Sequence, residues 1–463
     1  MSTRREAVPR LPASPDERRV SKVHARPIVL SVAGSSLEWF DFLSYLFLSK
    51  TIASVFFPLS HATAGLSLTF ATFAIGVIAR PLGGVIFALY ADRLGRFRIL
   101  SLLMILMGIG TGLLGVCPSY SEVGIAAPIV MVFARILQGV AVGAQFGVAS
   151  QIIVENTPAE RRMFFGSFNM SAQALSAVLA ATCSYFLITR LSDDALRSWG
   201  WRLPFLAGSI IGPLGVILKH HSSQVNALEH AHPERAADDE PLWTQWSSFV
   251  RSNTDNVVCA IGVITVATAS NYLWAIYIPA YVEVHLRLPI TAAMLGVILS
   301  QALNALCFPV AGWFADRYGA YRMFFPVVIA WALCAYPMFL FIVDAPSVAR
   351  LLCMQLLAGL FQTALAGPHA GMLATLFPSR SGATGMSLSY NVAVTLFGGM
   401  APFTINLLTE WTGNSLVPPT YLVTTAVFSI ALVYATRAGR QQLAADRERF
   451  GGRPTFACKG AVK

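Results

Sequence analysis

Four ionisable side chains stand where an apolar sequence makes them expensive. Glu38 and Asp41 lie three residues apart in the first long apolar run, so on a helix their carboxylates share a face. Arg80 falls about two-thirds along the second run and Arg135 near the middle of the fourth. An ionisable group at membrane depth costs at least about 2.5–3.5 kcal/mol on insertion scales, so each one asks for a partner or a purpose. Two carboxylates and two guanidiniums can neutralise one another, or they can bind an anion and a proton in competition. A carboxylate pressed against a guanidinium is ionised, whereas one deprived of that partner and shut off from water can hold a proton. Asp41, then Glu38, are therefore proton-coupling candidates, and Arg135 and Arg80 are candidate anchors for an anionic substrate. A fixed ion-pair network that only orients helices would use the same four residues.

Uncharged polar groups extend this set. Gln138 lies one helical turn beyond Arg135 and can share its polar patch; Asn169 and Gln173 face the same way in the fifth run. The second half of the chain is neutral at depth, with Asn271, Tyr390 and Asn391 as further substrate-binding candidates. Each could equally hold helices together by hydrogen bonding. His369 follows Pro368, which removes a backbone hydrogen bond and should kink its helix. It is a third proton-coupling candidate, with a neutral packing histidine as the competing reading. No nucleophile–base pair and no phosphate-binding loop is present, which argues against an enzyme and against ATP drive. The seven cysteines form no CxxC pair, and the histidines between residues 220 and 232 have no regular spacing, so neither metal nor cofactor is expected.

The elements that must position these groups are transmembrane helices. Of 463 residues, 55% are hydrophobic and only 12% charged, with a mean hydropathy of +0.61. A soluble domain carries about a quarter charged residues. About twelve runs are long enough to cross a bilayer as helices. They divide the chain into an N-terminal tail (1–26), a first six-helix bundle (27–218), a central polar loop (219–255), a second six-helix bundle (256–437) and a C-terminal tail (438–463). The net charge of +10 is topological and does not mark a nucleic-acid binder. About 25 of the 33 Lys and Arg fall on the tails, the central loop and the loops of one side, against about six on the other. That asymmetry predicts both termini inside the cell. The bilayer and a small molecule are the expected partners, and a monomer the expected unit.

One turn occurs twice. Ala91-Asp92-Arg93-Leu94-Gly95-Arg96-Phe97-Arg98 is echoed about 225 residues later by Ala315-Asp316-Arg317-Tyr318-Gly319-Ala320-Tyr321-Arg322, each between two long apolar runs. A charged, glycine-broken turn once per half indicates duplication of a transporter half. In the fourth run Gly139, Gly143 and Gly147 form a smooth ridge that lets helix backbones approach closely.

The repeated turn resembles the signature loops of the major facilitator superfamily. Within it, Leu37-Glu38-Trp39-Phe40-Asp41-Phe42, Arg80-Pro81-Leu82-Gly83-Gly84, Trp199-Gly200-Trp201-Arg202-Leu203-Pro204-Phe205 and Ser389-Tyr390-Asn391 are similar to the metabolite:proton symporter branch, which carries citrate, 2-oxoglutarate, shikimate, dicarboxylates, or proline and betaine. The likeness covers about residues 27–437. It implies an all-α membrane fold of about twelve helices in two six-helix halves, and a bacterial inner-membrane symporter working by alternating access. Asp92, Arg93, Gly95, Arg96, Asp316 and Arg317 become its gating loops, with Asp92 and Arg96 expected to pair across the cytoplasmic side. The chain departs from the branch at Gln145 (usually Glu), Thr375 (Glu), Gly382 (Arg) and Ala320 (Arg). The leading expectation is proton-coupled symport of a di- or tricarboxylate. A zwitterionic osmolyte carrier or an uncoupled facilitator is the nearest alternative, and a non-transporting receptor a remote one.

Overall fold

The computed structural model describes residues 25–58, 62–219, 241–377, 381–414 and 416–450, and among them all regular structure is helical. Among the described residues, eleven helices are long and apolar enough to cross a membrane. The helix Ala25–Phe47, with 23 residues, precedes them and carries Asp41. At about 1.5 Å per residue it exceeds the ~30 Å hydrocarbon thickness. We number the helices α1 (Ala25–Phe47), α2 (Ala62–Leu94), α3 (Arg96–Val116), α4 (Ala126–Glu155), α5 (Arg162–Arg190), α6 (Asp193–Lys219), α7 (Leu242–Tyr272), α8 (Ile290–Tyr318), α9 (Ala320–Val343), α10 (Val348–Leu376), α11 (Gly382–Thr409), α12 (Val417–Ala435) and α13 (Arg437–Phe450). The protein is an all-α membrane protein of about twelve spans in two halves.

The halves meet in an equivalent way on both sides of the cavity: α5 lies along α8, and α2 lies along α11. The glycine ridge of α4 makes part of this packing. A β-carbon on Gly139 would collide with the carbonyl oxygen of Gly76, and one on Gly143 with that of Arg80, so the ridge sets the α2–α4 crossing. Gly147 faces Ser387 of α11, carrying the same close approach into the second half.

Three expectations change in detail. The gating segments are not loops. Helix continues through Asp92 to Leu94 and through Asp316 to Tyr318, and the chain reverses at one residue, Gly95 (φ 102°) or Gly319 (φ 92°). Only glycine takes such a backbone without strain, which is why the turn can be so short. The central loop is also shorter than expected. α7 begins at Leu242, so Trp243 and Trp246 lie near the start of a 31-residue helix. The histidines 220, 221, 230 and 232 lie outside the described residues. Finally, α13 is not a free tail. Asp446 accepts from the backbone N–H groups of Tyr321 (2.8 Å) and Arg322 (3.3 Å), and Gln442 donates to the Thr375 carbonyl (3.1 Å).

Candidate functional site

Two cavities lie at the depth of the ionisable groups. The larger sits between the halves. Trp39 (α1), Met170, Gln173 and Ala174 (α5) line it from the first half; Ala267, Thr268, Asn271 and Tyr272 (α7), Gln301 and Phe308 (α8), Gln362, Ala366 and His369 (α10), and Tyr390 (α11) line it from the second. Local sequence explains several of these placements. α10 breaks at Gly367-Pro368, and His369 restarts the helix against the cavity. Tyr272 precedes a π-helical turn at Leu273–Tyr277, which rotates the following residues relative to the helix behind them. Tyr390 is held flat against Phe146 of α4, with ring centroids 3.9 Å apart. The cavity volume is about 50 Å³, room for roughly three or four waters.

The smaller cavity, ≈ 30 Å³, lies inside the first half and is lined by Asp41, Arg80, Arg135 and Gln138 among apolar groups. Asp41 Oδ2 accepts from Arg135 Nη1 (3.0 Å) and from Gln138 Nε2 (3.0 Å), and Gln138 also donates to Thr111 (2.8 Å). The guanidinium of Arg135 lies 3.8 Å over the Tyr45 ring, whose hydroxyl is 2.5 Å from Thr72 Oγ1. Asp41 is 2% exposed and Arg135 4%, yet Asp41 Oδ1 and Arg135 Nη2 have no hydrogen-bond partner. Arg135 Nε has none either, so three of the pair's five polar atoms are unpartnered, and such a pair can exchange a partner for a proton without losing a complete network. An edge-on cluster of Trp39, Phe42 and Tyr272, with centroids 5.5–6.0 Å apart, separates the two cavities.

At the end where both repeated turns lie, each turn acid crosses to the other half. Asp92 accepts from Thr384 N–H (2.9 Å), Thr384 Oγ1–H (2.8 Å) and Ala383 N–H (3.3 Å) at the start of α11. Asp316 accepts from Met163 N–H (3.1 Å) and Phe164 N–H (2.9 Å) at the start of α5. The first N–H groups of a helix have no intrahelical partner and carry its positive dipole end, so a carboxylate belongs there. Arg96 pairs with Asp92 (3.3 Å) and Glu155, both in its own half. The expected Asp92–Arg96 pair therefore exists but does not bridge the halves; the Asp92-to-backbone bonds do. At the opposite end Lys50 meets Glu283 of the second half at 2.6 Å. Contacts between the halves therefore flank the cavity at both ends.

The structure sorts the remaining expected residues. Gln173, Asn271, Tyr390 and His369 reach the central cavity, while Arg80, Arg135 and Gln138 reach the charged one. Asn169 donates to Ser150 (2.9 Å) and Asn391 to the Gly143 carbonyl, so both join helices, and neither is in the lining of these two cavities. Arg93 lies half-buried at its helix end, and the exposed Arg317 stacks over Trp313 (5.5 Å). The backbone of Glu38 is part of α1; its side chain lies outside the described residues. Sequence reasoning missed Trp39, Glu155 and the Lys50–Glu283 bridge. Glu155 carried a signal, being an acid at the end of a span beside a basic turn. Among the described residues, no three His, Cys, Asp or Glu converge as a metal site.

Two six-helix halves, a cavity between them and turn acids reaching across define a secondary transporter by architecture. Residues 33–300 match the Major Facilitator Superfamily, and the chain belongs to that family. It is 29% identical over 391 residues to a citrate-proton symporter of Klebsiella pneumoniae, covering 84% of this chain and 87% of that one. It is 30% identical over 429 residues to a putative proline/betaine transporter of Staphylococcus aureus (strain COL), covering 91% and 90%. The fold is similar to that of the proton:xylose symporter XylE bound to 6-bromo-6-deoxy-D-glucose, with a TM-score of 0.67 at 19% identity over 88% of this chain and 93% of that one.

Proposed function

We propose that this protein is a proton-coupled secondary transporter of a small organic acid, either a carboxylate or a zwitterion. The halves 27–218 and 256–437 rock about the central cavity, and Asp41 carries the proton. The observation that carries the reading is the partly satisfied Asp41–Arg135 pair beside, but not in, the cavity. Both guanidinium and proton stabilise the same carboxylate, so a movement of α1 against α4 that loosens one favours the other. Trp39 and Phe42 share α1 with Asp41 and touch Tyr272 of the second half. A substrate pressing on Trp39 from the cavity is thus in mechanical contact with the proton site. Arg80 and Gln138 keep the pocket polar, and Glu38 and His369 are the next proton sites to test. The relatives named for citrate-proton symport and for proline/betaine transport support coupling and leave both cargo classes open. We place both termini and the repeated turns at the cytoplasmic face of a bacterial inner membrane, on the Lys/Arg asymmetry, and a monomer as the working unit.

Purified protein in liposomes tests this directly. An imposed pH gradient, acid outside, should drive accumulation of a substrate found by thermal shift. Asp41→Asn should abolish that accumulation and leave counterflow exchange measurable, since exchange needs no net proton movement. Gradient-independent uptake by the wild type would make the protein an uncoupled facilitator.

A further inference from the structure

A proton arriving on Asp41 removes the anion with which Arg135 is paired. Arg135 is 4% exposed, and a guanidinium does not give up its charge, so the cation then needs another partner. Among the described residues, the charged groups on its cavity are Asp41, Arg80 and Arg135, with Gln138 as a neutral polar neighbour. Arg80 adds like charge, and Gln138 turns its amide nitrogen, a donor, towards Asp41 and Thr111. The group that already lies against the cation is a ring.

Tyr45 follows Asp41 by four residues on α1, so the two side chains leave the same face of the helix. The guanidinium carbon of Arg135 lies 3.8 Å from the centre of the Tyr45 ring, in contact with its face. The ring is not free to turn away. Its hydroxyl donates to the Thr69 carbonyl (3.1 Å) and lies 2.5 Å from Thr72 Oγ1. Phe73 stacks nearly parallel to it (17°, centroids 6.2 Å apart), Phe205 meets it edge-on (6.5 Å), and the residue is fully buried. These residues sit on α1, α2, α4 and α6, all in the first half, so rocking of the halves leaves the contact intact. A ring face attracts a cation most strongly where water is excluded.

Resting on the transport reading above, we propose that Tyr45 is a coupling residue that acts through Arg135. With Asp41 ionised, the guanidinium is shared between carboxylate and ring. With Asp41 protonated, the neutral acid no longer holds the cation, and the ring face becomes its main support. Tyr45 thereby stabilises the proton-loaded carrier more than the proton-free one, and it sets the pH at which the carrier loads. An aliphatic side chain of similar bulk fills the space and offers the cation no such face.

One test needs no transport. Asp41→Asn imitates the protonated acid, and thermal unfolding of the purified full-length protein is followed through a double-mutant cycle. Tyr45→Leu should lower the Tm roughly twofold more in the Asp41→Asn background than beside the intact aspartate. Tyr45→Phe keeps the ring face and loses only the hydroxyl's bonds, so it should cost the same in both backgrounds. Equal losses for Tyr45→Leu in the two backgrounds, or a loss for Tyr45→Phe that grows as that of Tyr45→Leu does, overturn the proposal. Should Asp41→Asn fail to fold, Arg135→Gln gives the cycle with opposite sign. Without the cation Tyr45→Leu should cost less than in the wild type, and an undiminished cost overturns the proposal. The other test is the pH profile of cargo uptake into liposomes. Tyr45→Leu should move its midpoint about one pH unit to the acid side, a tenfold rise in the proton concentration required, and Tyr45→Phe should leave it in place. An unmoved midpoint in Tyr45→Leu also overturns the proposal. A wild type whose uptake ignores pH refutes symport and with it the loading role of Tyr45, while a coupled stability cycle still keeps the ring as the cation's partner.

Discussion

The two repeated turns solve the same backbone problem and are buttressed differently. Each reverses at a glycine with positive φ, and each aims an aspartate at a helix start in the opposite half. In the first turn Arg96 then ties Asp92 to Glu155 at the end of α4. In the second turn the position after the glycine is Ala320, and the residue matching Glu155 is Thr375, each lying three residues before a proline (Pro158, Pro378). Both halves of the ion pair are missing together. α13 takes their place: Gln442 binds the Thr375 carbonyl, and Asp446 caps α9 beside Gly319. What the halves share is the carboxylate reaching across, and what differs is how that carboxylate's helix end is held. The latch and its support are separable.

The largest effect should come from removing the support that is made of charge. Arg96 is 2% exposed, and its loss removes a cation from both Asp92 and Glu155, which for a buried pair costs about 3–5 kcal/mol. Glu155 is a fifth exposed, which argues for the lower end, about 3 kcal/mol. Arg96→Ala should therefore lower the Tm of the purified protein sharply. Arg96→Ala with Glu155→Thr, which imitates the second turn, should recover part of the loss. A double variant no more stable than the single would mean that Glu155 contributes nothing to the pair.

Next come the latches themselves. Asp92→Asn and Asp316→Asn each weaken charge-assisted bonds worth about 1.5–3 kcal/mol, enough to shift a two-state equilibrium tenfold or more. Transport rate should change by about that factor, with substrate affinity moving much less. Asp92 accepts three bonds and Asp316 two, so the first variant should be the more severe. An equal change in rate and affinity would contradict a gating role.

Smaller still are the glycines. With positive φ and extended ψ, this backbone region lies outside the left-handed helical well, and a residue with a β-carbon there costs about 1–3 kcal/mol. Gly95→Ala should lose about that much, and Gly319→Ala more, because its β-carbon would also lie 2.8 Å from the Asp446 carboxylate. Equal Tm losses would show that α13 yields at no cost.

How much of this was readable beforehand follows from the range of each interaction. The turns were legible because a glycine of positive φ must be local, and its repetition is visible in the letters. Asp41 and Arg135 were legible as partners because burial leaves a charge few alternatives. The cross-half caps were not. An acid meeting backbone N–H groups 291 and 292 residues away leaves no residue type to recognise at the far end. Trp39 was hidden among aromatics that make up 11% of the chain, since nothing local separates a cavity wall from a packing ring. Asn169 and Asn391 show the converse. Deep amides satisfy a helix crossing as readily as a ligand, and only the packing decides between them.

The smallest effect, and the one that tests the substitution of α13 for an ion pair, belongs to Asp446. Its carboxylate does for α9 what an N-cap residue does, and loss of such a cap costs about 1 kcal/mol. α13 is held at other points as well: Arg322 donates to the Phe450 carbonyl (3.1 Å), and Asp255 accepts from the N–H groups of Arg437 (3.1 Å) and Ala438 (2.6 Å). Asp446→Ala should therefore loosen the far end of α13 while Asp255 keeps its start in place. Limited trypsin digestion should then cut after Arg447 or Arg449 well before it cuts after Arg437, with only a slight fall in Tm. If α13 truly replaces the missing pair, the same variant should also weaken the Asp316 latch, whose helix ends one residue before Gly319. Its effect should add to Asp92→Asn and overlap with Asp316→Asn in a double-mutant cycle on transport rate. Full additivity with Asp316→Asn would show that α13 is docked near the latch but supports nothing.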